Sequence, residues 1–241
     1  MALESTRKLT ILFCPLYRRR TTDYVLDPKN FGVLIYPGFE ALDAFGPMEV
    51  INDLSMTQNI TLSIVAASLD PVSTLQKGKH SVGQSVVPTH TFADAPALDV
   101  LIIPGGWGGF DTKPELQQWV RDVVPKLGTL ITVCNGAALA AQTGVLDGKS
   151  ATTNKMLWNQ CVVYGPKVNW VAKARWVHDG KIWTSSGVSA GIDATLAWVA
   201  AEYGEALATA IANDMEFTRA ASSSHDPFSV IHKCKDVPAQ L

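Results

Sequence analysis

From residue 31 to residue 217, short β-branched runs alternate with longer segments whose apolar residues recur at helical spacing. Residues 31–36, 99–103 and 130–133 are apolar almost throughout, the pattern of strands buried on both faces, and residues 60–66 alternate before turning wholly apolar, which reads as a further strand. Pro37-Gly38, Asp70-Pro71 and the run of residues 104–109 (Pro-Gly-Gly-Trp-Gly-Gly) end 31–36, 60–66 and 99–103 in turn. A helix is predicted from Glu40, with Leu42, Phe45, Val50, Ile51 and Leu54 on its apolar face and with Gly46-Pro47 expected to kink or split it. Further helices are predicted over 113–124, with Pro114 in the first turn, and over 137–142, 192–203 and 205–217. One more is expected over 151–158, opened by the cap-forming Thr152-Thr153-Asn154. Residues 72–84 read as a loop or hairpin, and Val86-Val87-Pro88 with Thr91-Phe92 as a short edge strand. Short strands are expected at 168–170, 175–177 and 182–184, the last two joined by an Asp179-Gly180 turn. Strands alternating with helices imply an α/β domain with a mostly parallel sheet covered by helices on both faces.

Composition narrows this picture. The chain has 241 residues, 47% apolar and 17% charged, with a formal charge of -2. One α/β domain is expected over residues 30–220, flanked by an N-terminal extension of residues 1–29 and a C-terminal tail of residues 221–241. There is no basic excess to hold a polyanion, so nucleic acid is not an expected partner. No stretch approaches the roughly 20 apolar residues of a membrane span. The apolar run 9–16 is short, is broken by Pro15 and precedes its arginines, so it does not read as a secretory signal. Cys14, Cys134, Cys161 and Cys234 show no paired spacing and no histidine pattern beside them, so reduced thiols, a cytoplasmic location and no metal site are expected.

Among these cysteines Cys134 stands apart by position. It falls between a predicted buried strand and a predicted helix, where a side chain clears the carboxyl edge of the sheet beside unpaired amides. Free cysteines are usually small buried hydrophobes. Two other loops at the same edge favour chemistry instead. Gly105, Gly106 and Trp107 lie on the glycine-rich loop, whose amides, with that of Asn135, could line an oxyanion or substrate site. Asp43 lies one turn into the first helix, beside the Gly46-Pro47 break. A buried carboxyl near a thiolate would have its pKa raised and keep a proton to donate, which makes Asp43 the expected acid/base partner of Cys134. Asn135, not histidine, follows the cysteine, and His178 reads as an exposed turn residue, so a Cys-His protease lacks its base.

Several of these segments together resemble the ThiJ/PfpI superfamily: the Tyr36 to Pro47 stretch with its Leu-Asp-x-x-Gly-Pro pattern, Leu101-Ile-Ile-Pro-Gly-Gly106, Val133-Cys-Asn-Gly136, and Ser186-Gly-Val-Ser-Ala-Gly-Ile-Asp193. Within it, Gly148-Lys-Ser-Ala-Thr-Thr153 and the Ala-Gly-Ile-Asp ending are most similar to the isonitrile hydratase branch. The resemblance implies a flavodoxin-like sandwich, a homodimer, no cofactor, a nucleophilic Cys134 and an acid at Asp43, acting on a small-molecule substrate. In a hydratase this pair would convert an isonitrile to an N-substituted formamide. Asn135 stands where that branch has threonine, and Asn154-Lys155 where it continues with His-Trp. Other readings kept open are a cofactor-free glyoxalase or specialised hydrolase, and a redox-responsive or chaperone-like protein using oxidation of Cys134. A transcription regulator would need a further DNA-binding domain, for which too few residues follow the last predicted helix.

Overall fold

A computed structural model describes residues 28–76 and 81–240. The expectations for residues 1–27 therefore lie outside the described residues. The elements follow in the order β1 (Asn30–Leu34), α1 (Ala41–Ser55), β2 (Thr61–Ala66), β3 (Val72–Ser73), β4 (Ser85–Val86), β5 (His90–Thr91), β6 (Val100–Ile103), α2 (Pro114–Val123) and β7 (Thr129–Thr132). Then come α3 (Gly136–Gln142), β8 (Ser150–Ala151), α4 (Trp158–Val162), β9 (Asn169–Trp170), β10 (Trp176–Asp179), β11 (Ile182–Ser185), α5 (Ala190–Tyr203), α6 (Glu205–Asp214) and α7 (Phe228–Ile231).

Seven strands form the central sheet in the order β10-β11-β7-β6-β1-β2-β5, parallel except for the β10–β11 hairpin. Helices flank this sheet, α1, α5 and α6 packing together and α2 packing on α3, so the flavodoxin-like α/β sandwich is the observed fold. After β1 the chain moves outward through β2 to β5, then returns to the other side of β1 as β6. That reversal opens a crevice beyond the carboxyl ends of β1 and β6, where ligands bind in sheets of this kind. β1, β6 and β7 are buried along nearly their whole length, which is why their sequences run apolar without alternation.

Three sequence expectations are corrected. Helix α1 runs unbroken through Gly46 and Pro47, with both residues buried. Packing of this segment against its neighbours outweighs the local penalty for an internal proline. Leu42 and Phe45 are not on its buried face: they are 44% and 43% exposed, whereas Asp43 and Ala44 are fully buried. The start of the helix is turned by the Glu40 amide, which donates to the Gly105 carbonyl at 2.8 Å, and that rotation directs Asp43 inward.

The third correction concerns 151–158. Only β8 and the start of α4 are regular there, and the intervening residues form an irregular loop. Thr152 Oγ1 donates to the Val171 carbonyl (2.8 Å) and Thr153 Oγ1 to the Cys134 carbonyl (2.9 Å). The Thr152 amide donates to Thr184 Oγ1 (2.8 Å). Hydroxyls that bond distant backbone compete directly with helix formation.

Residues 218–240 are fastened to this body. Val237 and Trp170 exchange backbone hydrogen bonds, the Ala172 amide donates to Asp236 Oδ1 (2.7 Å), and Trp158 Nε1 donates to the Lys235 carbonyl (3.0 Å).

Candidate active site

Between β7 and α3 only Val133, Cys134 and Asn135 remain to turn the chain, and Cys134 takes φ +58°. A left-handed backbone costs an L-residue about 1–2 kcal/mol and persists where its surroundings overdetermine it. Here the Cys134 amide donates to the Ser186 carbonyl at 3.0 Å, and its carbonyl accepts the Thr153 hydroxyl. The side chain is buried, and its Sγ accepts a hydrogen bond from Asn154 Nδ2 at 3.0 Å. Backbone amides of Val188 and Asn135 also donate to it. Val188 is itself at φ +33°, an outlier for a β-branched residue, so two strained residues meet at one sulfur.

Asp43 reaches the site from α1. Its Oδ2 accepts the Gly105 amide at 2.9 Å, whereas Oδ1 is buried and, among the described residues, has no hydrogen-bond partner. Burial first, then the neighbouring Glu40 charge, raises its carboxyl to about 7, against the Gly105 bond and the Cys134 thiol, which pull it down. Burial, with the Asp43 charge second, holds the Cys134 thiol well above its ordinary value, opposed by the Val188, Asn154 and Asn135 donors. The thiol and carboxyl are thus coupled, and near neutral pH they hold at least one proton between them.

The glycine loop is packed into this corner. A Cβ on Gly105 would lie 2.3 Å from Asn135 Oδ1 and 2.8 Å from Asp43 Oδ2. Gly106 has φ +125°, and a Cβ there would lie 2.3 Å from the Gly38 carbonyl oxygen. The Gly106 peptide is clasped from both sides: its amide donates to Asn135 Oδ1 (2.7 Å) and its carbonyl accepts Asn135 Nδ2 (2.8 Å). The Gly105 and Gly106 amides are therefore engaged by Asp43 and Asn135, and the amides directed at the sulfur are those of Asn135 and Val188. Trp107 is half-exposed, with its amide on Gln76 Oε1 (3.2 Å) and its ring tilted against Phe110.

Tyr36, at the end of the first apolar run, was not singled out from the sequence. Its hydroxyl donates to the Pro104 carbonyl at 2.7 Å, and burial, with the Asp43 and Cys134 charges, holds it well above its usual range. Val188 and Ser186 were also missed, because each meets Cys134 through a backbone group that leaves no residue-type signature, and Thr153, because its hydroxyl reads as a helix cap where it instead bonds the Cys134 carbonyl. His178 is exposed and stacks on Trp183, remote in role from the thiol.

A buried cysteine on a strained strand-to-helix turn after β7 and a buried carboxyl on the helix after β1 flank the glycine loop of the intervening β6 at the carboxyl edge of a flavodoxin-like sheet, the arrangement of a cysteine-containing α/β protein. Residues 29–201 match the DJ-1/PfpI family, and the chain belongs to that family. It is 31% identical to isonitrile hydratase of Pseudomonas putida over 169 residues, covering 69% of each protein. Among solved structures, a ThiJ/PfpI family protein from Pseudomonas syringae superposes with a TM-score of 0.70 at 26% identity, covering 88% of this chain and 87% of that one. Drosophila melanogaster DJ-1beta shares the fold, with a TM-score of 0.65 at 21% identity over 79% of this chain and 99% of its own.

Proposed function

We propose that the protein hydrates an isonitrile to an N-substituted formamide, with Cys134 as nucleophile and Asp43 as acid/base. The observation that carries this reading is the unpartnered Oδ1 of Asp43, on a carboxyl raised to about 7 and facing a buried thiol. Addition to an isonitrile needs both a nucleophile and a proton at one carbon, and a coupled thiol-carboxyl pair holds both. The sulfur of Cys134 bonds to the terminal carbon while Asp43 delivers a proton to the same atom, leaving a thioimidate, R–N=CH–S–Cys134. Asp43, now a carboxylate, takes a proton from water as the water adds to that carbon and passes it to the nitrogen, giving R–NH–CH(OH)–S–Cys134. Collapse of this tetrahedral adduct expels the Cys134 sulfur as thiolate, the hydroxyl proton going to Asp43, and releases R–NH–CHO with the pair as it began. Donation from Asn154 Nδ2 and the Val188 and Asn135 amides supports negative charge on sulfur as it attacks and departs.

The similarity to an isonitrile hydratase supports this choice of substrate. A glyoxalase or hydrolase would use the same pair. A sensor oxidised at Cys134 is the reading of another class, and intact mass after mild peroxide separates it from a hydratase. The same reading makes the protein a cytoplasmic homodimer that needs no cofactor. Leu42 and Phe45, exposed on either side of Asp43 along α1, supply apolar surface for the second copy.

Purified protein incubated with cyclohexyl isonitrile should release the N-substituted formamide, followed by chromatography, and Cys134→Ala and Asp43→Asn should each reduce turnover by at least about 100-fold. Turnover of methylglyoxal with none of the isonitrile would transfer the pair to the glyoxalase reading.

A further inference from the structure

Two of the three donors to the Cys134 sulfur, Asn154 Nδ2 and the Val188 amide, come from outside its own turn. Both sit on irregular segments, one between β8 and α4 and the other between β11 and α5. Each is held locally, Thr153 Oγ1 by the Cys134 carbonyl and the Ser186 amide by the Arg175 carbonyl, and the two share one further anchor. Both are fastened to the same side chain, Asp226, which comes from the segment just before α7.

Asp226 Oδ2 accepts the Ser186 hydroxyl at 2.8 Å and pairs with Lys155 Nζ at 3.5 Å. Its Oδ1 accepts the Phe228 amide at 2.9 Å, which ties it into the first turn of α7. The ion pair is closed to solvent, its side chains 1% and 0% exposed. Lys155 Nζ also donates to Thr152 Oγ1 (2.6 Å) and to the Thr153 carbonyl (3.0 Å), curling the loop so that Asn154 stands at its crest. On the other arm, the Ser186 carbonyl receives the Cys134 amide at 3.0 Å, two residues before Val188.

We propose that Asp226 is a positioning residue for the Cys134 thiolate: through Lys155 and Ser186 it holds the two loops that carry Asn154 and Val188 to the sulfur. This rests on the reading of Cys134 as the nucleophile. A buried ion pair is poor at supplying stability compared with apolar packing of the same volume, so its presence here is better matched to fixing geometry. The two loops also touch directly, since a Cβ on Gly187 would stand 2.9 Å from Asn154 Nδ2, and Asp226 adds polar bonds that hold this contact in register. The charge that bears directly on the sulfur is that of Asp43, so Asp226 works through the loops.

The test follows the rate at which iodoacetamide alkylates Cys134 in the full chain as pH is varied, read by peptide mass spectrometry, alongside thermal melting. Asn154→Ala should move the midpoint of the alkylation profile up by about one pH unit, the loss expected when one donor to a thiolate is removed. Asp226→Asn and Ser186→Ala should each move it up by about half a unit or more, and Ser186→Thr, which keeps the hydroxyl, should restore it. Asp236→Ala removes a different anchor of the same segment, the bond from the Ala172 amide, and should lower the melting temperature with the midpoint unmoved. The inference is overturned if Asp226→Asn and Ser186→Ala behave like Asp236→Ala. If Asp226→Asn does not fold, Ser186→Ala decides alone. A Cys134 that resists alkylation in the parent protein at every pH would instead sink the nucleophile reading, and this inference with it.

Discussion

At Asp43 a carboxyl that would titrate near 3.8 in an unfolded chain is raised to about 7 by burial. The folded state thus binds this proton more tightly than the unfolded state. The stability it contributes is complete below the unfolded value and is lost as pH rises through the folded one. Asp43→Asn, which keeps an acceptor for the Gly105 amide, should be nearly neutral at pH 4 and stabilising above pH 7, by up to about 4 kcal/mol. Urea unfolding across that range measures it; a gain that did not grow between pH 4 and 7 would contradict a buried, proton-holding carboxyl. The same substitution removes the negative charge that lifts the thiol, so Cys134 should alkylate at lower pH even as turnover is lost. A higher midpoint would mean that the carboxyl chiefly orients the thiol. At this scale the sequence was informative where residue type carries the chemistry. Cys134 and Asp43 could be named from their places on predicted elements, but Asn154 could be seen only as a departure from a pattern. Val188 and the Ser186 carbonyl meet Cys134 through main-chain atoms, which any residue has, and the partner of the Ser186 hydroxyl, Asp226, lies 40 residues on.

Among the elements, the strands were the most legible, because β1, β6 and β7 are buried on both faces and must be apolar throughout. Helix α1 was harder. Its apolar residues mark two surfaces, one against the sheet and one facing out at Leu42 and Phe45, so periodicity alone could not say which lay inside. The segment 151–158 failed for a different reason: Thr152, Thr153 and Asn154 have the composition of a helix cap, yet their side chains bond Val171, Cys134 and the Leu157 amide. The glycine loop was recognisable as a place of close approach, but its clasp by Asn135 was not. That clasp gives a prediction. Gly106→Ala forces a Cβ onto the Gly38 carbonyl at an unfavourable φ, and should lower stability by about 3 kcal/mol or more with loss of turnover. A variant that melted like the parent would show that this loop has room to relax.

Across the whole molecule, the sheet order places Asp43, the glycine loop and Cys134 on neighbouring strands at one edge, and that convergence was readable from the alternation of strands and helices. The docking of residues 218–240 on the body was not, since a polar segment after the last long helix carries no periodicity to announce a docking place. If α1 faces a second copy, Phe45→Glu should convert the dimer to monomer in light scattering, and an unchanged mass would place the contact elsewhere. Asp226 has one further consequence, for synthesis. Cys134 emerges from the ribosome well before the residue proposed to steady its surroundings, because the ion pair to Lys155 and the bond to Ser186 join distant parts of the chain. For that interval Cys134 stands outside the buried surroundings that hold its thiol above the ordinary range. Translation pausing short of Asp226 would prolong the period in which stray electrophiles can claim it.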